Sequence, residues 1–580
     1  MEAKKFTPSK YQRDIFDYIL NGDGNLVIEA VAGAGKTASI IESLKIIPSD
    51  KKVLFLAFAN KNADELKERT RDFKNVEVKT TYSMGRIIVN NSLGKPELNK
   101  EKYFKEFIEN ASSYTMNTKF TLKKHKWNAY LSNINKLLVH TRQSLCETIG
   151  DIKKIASEYE ISIVADEISV VKKLMMWGKR HTKTIDFIDM VWYPVVFELP
   201  NDYFSRFDFV FIDEAQDLSR TQRELILKYR NEKTRFVFVG DSKQAIYGFN
   251  SADPNSFEEL KKIPNTKLLP LSICYRCPKK VISFVKHIVP QMEPAENAIE
   301  GSIFFDRALR DINDGDTVLC RNNAPLFQIF ASFARMGKKA YIVGDDFEDT
   351  LKKLIENNYH DEINADLNEI GLMSELYRSY FKKRKELMDS NGFEAEMCDN
   401  MPDMIALMDK IESIKVLSEG INNTTELINR VSRLFSSEKE GIRLITVHKA
   451  KGAEFPNVFI AKPELFDISK KTMEWEKIQE QNLEYVAYTR AMRNLSFIKS
   501  DEIKNIFSKP LDEIENILNY LYNPFRKTHA TLLVSHDTVT GITTPGINML
   551  HGDKTPSYDN TTVRPLTEIF NKKSKKRKIF

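Results

Sequence analysis

Residues 25–44 read NLVIEAVAGAGKTASIIESL, and this stretch decides the fold. Its apolar start indicates a buried strand, a glycine-bearing turn follows at once, and the residues after the turn have the apolar spacing of a helix. A strand, a tight turn and a helix in this order begin an α/β unit with a parallel sheet. Backbone N–H groups in such a turn can bind phosphate, aided by the positive end of the helix.

Apolar runs of the same kind recur along the chain. They read KKVLFLAFAN, FDFVFIDEA and TRFVFVGD before residue 270, and DTVLCRNN, KAYIVGDD, IRLITVHKA and NVFIAKPE after it. Near-continuous apolar runs are typical of strands that are buried on both faces of a parallel sheet, and helical stretches separate them here. We therefore predict an α/β fold with two parallel-sheet cores.

Two long intervals with helical spacing interrupt these cores and predict inserted helical domains. The predicted domains are 1–85 with 207–270 as the first core, 86–206 as its insertion, 271–350 with 439–523 as the second core, 351–438 as a reduced insertion of that core, and 524–580 as a tail. Thr, Gly, Pro, Asn and Asp dominate the tail, which predicts a flexible segment.

The formal charge of the 580-residue chain is +6, but its last ten residues, NKKSKKRKIF, contain six Lys or Arg and no acid. The remainder is therefore formally neutral, and any affinity for nucleic acid must come from local basic surface rather than from a global field. The basic end of the tail fits a nuclear address, a DNA-binding arm, a contact for a protein partner or a merely solubilising terminus.

The chain shows no sign of a membrane or secretory destination. No stretch approaches the roughly 20 consecutive apolar residues of a membrane-spanning helix, and the first residues lack the apolar run of a secretory signal. Five cysteines are few for this length and odd in number, so a disulfide framework is not expected. Cys274 and Cys277 form a CxxC, but no second Cys or His pair stands at zinc spacing. This favours cysteines without a metal-binding role over a metal site.

The loop AVAGAGKT departs from the GxxxxGK[ST] pattern because Ala30 occupies the first glycine position, whereas Gly35, Lys36 and Thr37 fit it. Lys36 would reach the β and γ phosphates of a nucleotide, and the Thr37 hydroxyl would hold Mg²⁺. The alternative is a glycine turn that binds nothing. A phosphate loop alone fits kinases and GTPases equally well.

The segment FVFIDEAQD ends an apolar strand with Asp213 and Glu214. This places one carboxylate where Mg²⁺ can be held and its neighbour where a water can be polarised for in-line attack. A nucleotide hydrolase needs both groups. The alternative is a solvated acidic turn, which is common after a strand.

These stretches resemble, in the same order, the motifs of the superfamily 1 DNA helicases of the UvrD/Rep/PcrA type, whose phosphate loop also tolerates alanine at the first glycine position. The resemblance runs from residue 6 to about residue 495. In the first core it rests on FTPSKYQ (6–12, adenine reading), AVAGAGKT (30–37, phosphates), FLAFANKNADELKERT (55–70, DNA contact), IDEAQDLSRTQ (212–222, the DExQD box) and VFVGDSKQAIYGFNSA (237–252, coupling of ATP to DNA).

In the second core the resemblance rests on CYRCPKKVI (274–282), LITVHKAKGAEFPNVFI (444–460) and LEYVAYTRAM (483–492). It implies two RecA-like cores, each with a mainly helical insertion. It also implies ATP and Mg²⁺ as cofactors and single-stranded DNA, with its junctions to duplex, as the partner.

The resemblance implies roles for residues around the nucleotide. The expected catalytic residues are Glu214, Lys36, Gln244, Arg276 and Arg490. The expected nucleotide-binding residues are Gln12, Ala32, Gly33, Ala34, Gly35, Lys36, Thr37, Tyr275 and Glu454, and the expected Mg²⁺ ligands are Thr37 and Asp213. Arg276 and Arg490 would neutralise charge on the transferring phosphoryl group. A lone arginine is more often part of a surface ion pair.

Binding of single strands without sequence preference needs aromatic faces for the bases and donors for the phosphates. The expected DNA-binding residues are Phe58, Asn60, Tyr82, Tyr247, Phe249 and His448. Strand-end aromatics are otherwise more often core residues. The chain departs from the family at two points: Phe249 and Asn250 replace a common Trp-Arg pair, and Thr81 and Tyr82 replace a Phe-His pair.

The first insertion carries two basic clusters with interleaved tryptophan, KKHKWNAY around Trp127 and KKLMMWGKRHTK around Trp177. In related helicases this domain lies beside the duplex. A solvated basic helix face with tryptophan in the core is an equally good interpretation.

The function implied by the resemblance is an ATP-dependent DNA helicase that moves 3′→5′ on single-stranded DNA in replication or repair. A motor that strips proteins from single strands, or an ATP-gated adaptor that acts through the tail, are the alternatives. We expect the protein in the cytoplasm with DNA, or in the nucleus if the host is eukaryotic.

Overall fold

The structure is a computed structural model. It describes residues 6–58, 60–115, 124–163, 165–248, 253, 255–358, 369–391, 395–399, 402–421, 423–436, 440–470, 473–503, 533–536 and 543–546. The chain divides into two compact units: the first is Met1–Arg307, Ser390–Gly392 and Thr446–Phe497, and the second is Ala308–Asp389, Phe393–Ile445 and Ile498–Phe580.

The strands are β1 (Asn25–Ala30), β2 (Val53–Ala57), β3 (Val76–Thr80), β4 (Glu97–Leu98), β5 (Thr184–Ile185), β6 (Phe209–Ile212), β7 (Arg235–Gly240), β8 (Thr266–Leu271), β9 (Ile273–Cys274), β10 (Glu293–Pro294), β11 (Ser302–Arg307), β12 (Thr317–Cys320), β13 (Ala340–Ile342), β14 (Ile442–Thr446), β15 (Phe455–Ala461), β16 (Ala491–Ile498), β17 (Leu533–His536) and β18 (Thr543–Gly546).

The helices are α1 (Lys10–Asn21), α2 (Lys36–Ile46), α3 (Asn60–Arg69), α4 (Thr81–Leu93), α5 (Lys102–Glu109), α6 (Ala111–Tyr114), α7 (Lys124–Gln143), α8 (Ile149–Glu158), α9 (Glu167–Arg180), α10 (Asp189–Val196), α11 (Arg220–Lys228), α12 (Ser256–Lys261), α13 (Lys279–Val285), α14 (Ala324–Arg335), α15 (Asp345–Asn357), α16 (Glu369–Asn391), α17 (Ala395–Asp399), α18 (Pro402–Ser418), α19 (Thr424–Ser436), α20 (Val447–Ala450) and α21 (Glu474–Tyr488).

The first sheet has six parallel strands in the order β3-β2-β6-β7-β1-β8. The central strands β2 and β6 are fully apolar and buried, as their sequences predict, whereas the edge strands β3 and β8 are partly exposed. The order brings the carboxyl ends of β1, β6 and β7 to one edge of the sheet. In an open parallel sheet, ligands bind at this edge.

In the first unit β11, β16 and β15 are consecutive neighbours in a further sheet, and in the second unit β12, β14 and β13 are consecutive neighbours. The pairs β13–β14 and β15–β16 are parallel. The prediction of an α/β fold with two parallel-sheet cores is thereby confirmed. The predicted domain boundaries remain predictions.

Helices α4 to α10 lie between β3 and β6 and share one apolar core with the first sheet. That core joins Val27 and Leu54 of the strands to Ile88, Tyr103 and Trp192 of the helices. Burying large aromatic side chains in this way contributes a few kcal/mol each. The insertion therefore packs as a continuation of the first core.

The predicted tail, residues 524–580, lies outside the described residues except for β17 and β18, which pair antiparallel. Across the part of the chain that the structure describes, no helix combines the length and the apolar character needed to cross a membrane. All five cysteines are free of disulfide bonds.

Candidate nucleotide site and nucleic-acid interface

The loop between β1 and α2 has the backbone that its glycines predict. Gly33 and Gly35 lie at φ +68° and +76°, in the left-handed region that favours glycine. Gly35 is the N-cap residue of α2, so Lys36 and Thr37 begin the helix. The amide groups of the first helical turn therefore face the loop, an arrangement that suits phosphate oxygens.

Contacts from distant segments fix this loop. The Val31 amide donates to the Leu271 carbonyl at 3.0 Å, and the Tyr275 amide donates to the Gly33 carbonyl at 2.9 Å. The Ala32 amide donates to the Tyr485 hydroxyl at 2.8 Å. A Cβ atom on Gly33 would approach the Arg276 Cβ to 2.6 Å, so only glycine fits there.

Lys36 meets Glu214 at the end of β6. Its Nζ donates to both Glu214 carboxylate oxygens at 3.0 Å, and both side chains are largely buried. Burial disfavours the charged lysine, but the carboxylates of Glu214, Asp213 and Asp241 outweigh it and raise the Lys36 pKa. The lysine is therefore held as a cation at the mouth of the phosphate loop.

Glu214 has a strained backbone. Its φ of +51° lies in the left-handed region, which costs a non-glycine residue about 1 kcal/mol or more. Bonds from Lys36 and from the Gln216 amide hold its carboxylate in place. Strain of this kind often occurs where a side chain must point toward a ligand.

Four carboxylates surround Lys36 and differ in acidity. Burial raises the pKa of Asp213 to about 6, assisted by the neighbouring Glu214 charge. Burial also raises the pKa of Asp217 and of Asp241 to about 6. For Glu214, the charges of Lys36 and Lys451 overcome burial and lower the pKa to about 2. Glu214 is therefore the carboxylate of this group that stays ionised to the lowest pH.

Gln244 and Arg490 belong to the same buried group. The Gln244 Nε2 donates to Asp241 Oδ2 at 2.7 Å, and the Arg490 Nη2 donates to Gln244 Oε1 at 3.4 Å. Burial, together with the Arg276 charge, lowers the Arg490 pKa to about 10. The guanidinium remains a cation at neutral pH.

The other expected nucleotide contacts lie around the loop. Arg276 Nε pairs with Glu454 Oε2 at 2.6 Å, and Tyr275 is 51% exposed. The Gln12 side chain accepts from the Ser9 amide and donates to Ser39 Oγ on α2, both at 2.9 Å. Gln12 thereby ties α1 to the helix that follows the loop.

Part of the expected DNA-binding set forms one cluster. The Phe58 and Tyr247 rings are stacked, with centroids 6.1 Å apart and planes at 12°. The Tyr247 hydroxyl donates to the His448 carbonyl at 3.4 Å, and Lys451 Nζ lies 4.7 Å from the Tyr247 ring centroid. Asn60 is exposed at the start of α3.

Tyr82 and Trp177 lie outside this aromatic cluster. Tyr82 packs against the apolar core of the first unit, and burial raises its pKa. Trp177 also packs against this core and stacks on His181 with centroids 4.7 Å apart. Phe249, Asn250 and the side chain of Trp127 lie outside the described residues.

Sequence reasoning did not single out several residues of the buried group. They are Gln216, Asp217, Asp241, Lys451 and Tyr485. The Lys451 Nζ lies 2.6 Å from Asp217 Oδ2 and donates to the Gln244 carbonyl at 2.7 Å. All five lie within the stretches that resemble the helicase motifs. Their place in these motifs is the sequence signal that could have identified them.

The donor set suits a magnesium nucleotide. Mg²⁺ prefers oxygen ligands and keeps several waters, so it needs only one or two protein groups besides the phosphates. Asp213 is partly buried beside Lys36, and Thr37 lies in the first turn of α2. One oxygen of Asp217, Oδ1, is buried without a hydrogen-bond partner. Within the described ranges, no three His, Cys, Asp or Glu side chains gather into a metal cluster.

A parallel sheet that carries a phosphate loop, a loop lysine, an acidic pair and a buried arginine defines a nucleotide hydrolase of the phosphate-loop class. Two family models match the chain: the UvrD/REP helicase N-terminal domain at residues 12–265 and the UvrD-like helicase C-terminal domain at residues 441–498.

Curated relatives agree with the family models. F-box DNA helicase protein 1 of Schizosaccharomyces pombe is 25% identical over an alignment that covers 86% of this chain and 58% of that protein. The ATP-dependent DNA helicase PcrA of Bacillus subtilis is 22% identical, with 88% of this chain and 86% of that protein covered. The Staphylococcus aureus PcrA of strain Mu50 is 22% identical, with 84% and 83% covered.

The chain belongs to the superfamily 1 helicases of the UvrD/Rep/PcrA type, a family of ATP-dependent DNA helicases. It spans a little over half the length of the fission yeast relative.

Proposed function

We propose that the protein hydrolyses ATP to move 3′→5′ along single-stranded DNA and to separate the duplex ahead of it. One side chain carries this proposal. Lys451 contacts Asp217 in the buried charge group and lies over the ring of Tyr247 in the aromatic cluster. A change of charge at the nucleotide therefore acts, through Lys451, on the ring against which a base would stack.

The proposed chemistry follows from the positions of the charges. Lys36 neutralises the β and γ phosphates, and Glu214, whose carboxylate stays ionised, polarises the attacking water. Thr37 and Asp213 would hold Mg²⁺, which would polarise the phosphate oxygens when bound. The loop formed by Ala32, Gly33, Ala34 and Gly35 surrounds the phosphates.

Three further side chains complete the proposed hydrolytic site. Gln244 orients the water, because its amide is held between Asp241 and Arg490. Arg490 and Arg276 neutralise charge that develops on the transferred phosphoryl group. The proposed contacts of the nucleoside are Gln12 and Tyr275 with adenine and Glu454 with ribose.

In the proposed binding of single-stranded DNA, Phe58 and Tyr247 supply the aromatic faces on which bases stack. The backbone contacts are assigned to Asn60 and His448, and further contacts to Tyr82 and Phe249. A protein partner that binds the tail remains a prediction.

Strand displacement on duplexes with opposite overhangs tests activity and direction together. We expect unwinding of a duplex with a 3′ single-stranded overhang and little of one with a 5′ overhang. The Lys36→Ala variant should unwind neither, because the phosphates lose their buried cation. Unwinding only from the 5′ overhang would refute the direction. ATP-driven removal of a bound protein without unwinding would favour the stripping motor.

The aromatic cluster predicts the strength of DNA binding. Replacing Phe58 with Ala removes a stacking face and should weaken single-strand binding by about 1–3 kcal/mol. Fluorescence anisotropy with a labelled oligonucleotide measures this change. Phe104→Ala is the matched control, because Phe104 is exposed on the insertion helix α5. Equal affinities of the two variants would contradict the assignment.

A further inference from the structure

Tyr485 is a buried polar residue with no role in the hydrolytic site described above. Its ring is fully buried, and its hydroxyl lies between two groups of the nucleotide site. It accepts from the Ala32 amide of the phosphate loop at 2.8 Å and lies 3.4 Å from Asp241 Oδ2 after β7. Residues 32 and 485 are 453 positions apart in the chain, so only the fold brings them together.

The direction of these hydrogen bonds is fixed by chemistry. The Ala32 amide can only donate, so the hydroxyl oxygen accepts there. The one proton of the hydroxyl is then available to Asp241, which can only accept when it is ionised. Because burial and the Asp241 charge raise the Tyr485 pKa well above its usual value, the hydroxyl keeps this proton.

The connection continues beyond Asp241. The same Asp241 oxygen accepts from Gln244 Nε2, and Gln244 in turn accepts from Arg490. The chain of contacts thus runs from the loop that surrounds the phosphates to the glutamine and the arginine proposed to act on the transferred group. Every link is between buried side chains or backbone, where a hydrogen bond is least exposed to competition from water.

A neighbour on the same helix supports this arrangement. Asn482 lies one turn before Tyr485 on α21, and residues three apart share a helix face. Its Nδ2 donates to the carbonyl of Ala245 at 2.9 Å and to that of Ser242 at 3.4 Å. One face of α21 therefore holds both the phosphate loop and the turn that contains Gln244.

We propose that Tyr485 is a positioning residue that fixes the phosphate loop in register with Asp241 and, through Asp241, with Gln244 and Arg490. The inference rests on the proposed ATP hydrolysis. It assigns to the hydroxyl, and not to the ring, the task of aligning the loop with the groups that assist phosphoryl transfer.

The test is Tyr485→Phe, which keeps the ring and removes the hydroxyl. The kcat for ATP hydrolysis should fall roughly tenfold, because the Ala32 amide loses its acceptor and Asp241 its donor, while KM for ATP changes less than about threefold. Lys36 and the remaining loop amides still bind the phosphates, so binding is affected less than turnover. A purely structural role would lower the melting temperature and leave kcat unchanged at temperatures where the variant is folded.

Tyr488→Phe is the matched control. Tyr488 lies on the same helix and is also buried, but it packs against Phe284 and Phe497, and its hydroxyl bonds to Glu484. Its kcat should equal that of the unchanged protein. Equal kcat values for the two tyrosine variants would overturn the inference.

A double-mutant cycle with Asp241→Asn gives a second test. If the two residues act through one connection, the double variant should lose no more turnover than the worse single variant. Independent, multiplying losses would contradict the proposal. Hydrolysis is measured with and without single-stranded DNA, so the proposed motor function and the role of the Tyr485 hydroxyl are tested separately. Absence of DNA stimulation in the unchanged protein would count against the proposed motor, whereas normal turnover in Tyr485→Phe would count against the role of the hydroxyl.

Discussion

The insertion and the nucleotide site each bury a group of charged side chains, but the two groups are built differently. The insertion cluster consists of Lys102, Arg142, Asp186 and Asp189. Arg142 bonds to both aspartates at 2.8 Å, and Lys102 bonds to Asp189 at 3.0 Å. Its two cations match its two carboxylates, and Tyr103 donates a further bond to Asp189 at 2.7 Å.

The nucleotide-site cluster is not balanced in this way. It consists of Lys36, Lys451 and Arg490 with Asp213, Glu214, Asp217 and Asp241, so its carboxylates outnumber its cations. Glu214 has a left-handed backbone, and one oxygen of Asp217 is buried without a partner.

The difference shows that burial of charge does not by itself mark a functional site. A closed cluster such as that of the insertion satisfies its own members and is explained by folding. Surplus carboxylate, backbone strain and an orphaned oxygen are costs that folding does not explain, and they occur together where a cationic ligand fits.

The largest effect on turnover is expected for Glu214→Gln. The kcat for ATP hydrolysis should fall by about 10²–10⁴, because the group that polarises the water is lost. The melting temperature should change little, because Asp213 and Asp241 still compensate the Lys36 charge. Glu198→Gln is the matched control, since Glu198 also has positive φ but its side chain is 80% exposed. Retained turnover in Glu214→Gln would remove Glu214 from the chemistry.

Removing one partner of the insertion cluster should lower stability and leave turnover unchanged. Arg142→Met leaves two buried carboxylates without their main cation and should lower the free energy of unfolding by about 3–5 kcal/mol. The kcat of the folded variant should be unchanged. Thermal and urea unfolding measure the loss. Arg69→Met, which breaks an exposed pair with Glu65, should cost less than about 1 kcal/mol. Lost turnover in folded Arg142→Met would show that the insertion cluster is not only structural.

The smallest effect is expected where the nucleotide-site cluster meets the aromatic cluster. Lys451→Met removes the cation between Asp217 and the Tyr247 ring and should lower the stimulation of hydrolysis by single-stranded DNA about tenfold. Hydrolysis without DNA should change less. Lys262→Met, at an exposed ion pair, serves as the control. If single-stranded DNA stimulated hydrolysis fully in Lys451→Met, Lys451 would not couple the two clusters.

The sequence predicted the elements that rest on a few contiguous residues. The apolar runs around residues 26–30, 53–57, 209–212 and 235–240 are strands, because their composition suits burial on both faces. The edge strands β3 and β8 were missed, since VEVKT and TKLLPL are partly exposed and lack a continuous apolar pattern.

For the site, the motifs predicted which side chains would be important but not all of their partners. Phe58 and Tyr247 were expected on the same track and are stacked. Tyr82 was expected there too; it is partly buried and packs against the apolar core of the first unit. Its role in DNA binding remains a prediction.

The parallel-sheet architecture, the phosphate loop and the acidic pair follow from local sequence, because each depends on neighbours within a few residues. Only the tertiary structure decided that Tyr485 bonds to the loop 453 residues earlier and that Lys451 joins Asp217, 234 residues away, to the Tyr247 ring. Contacts of this kind follow from how strands and helices pack, and no local pattern encodes them.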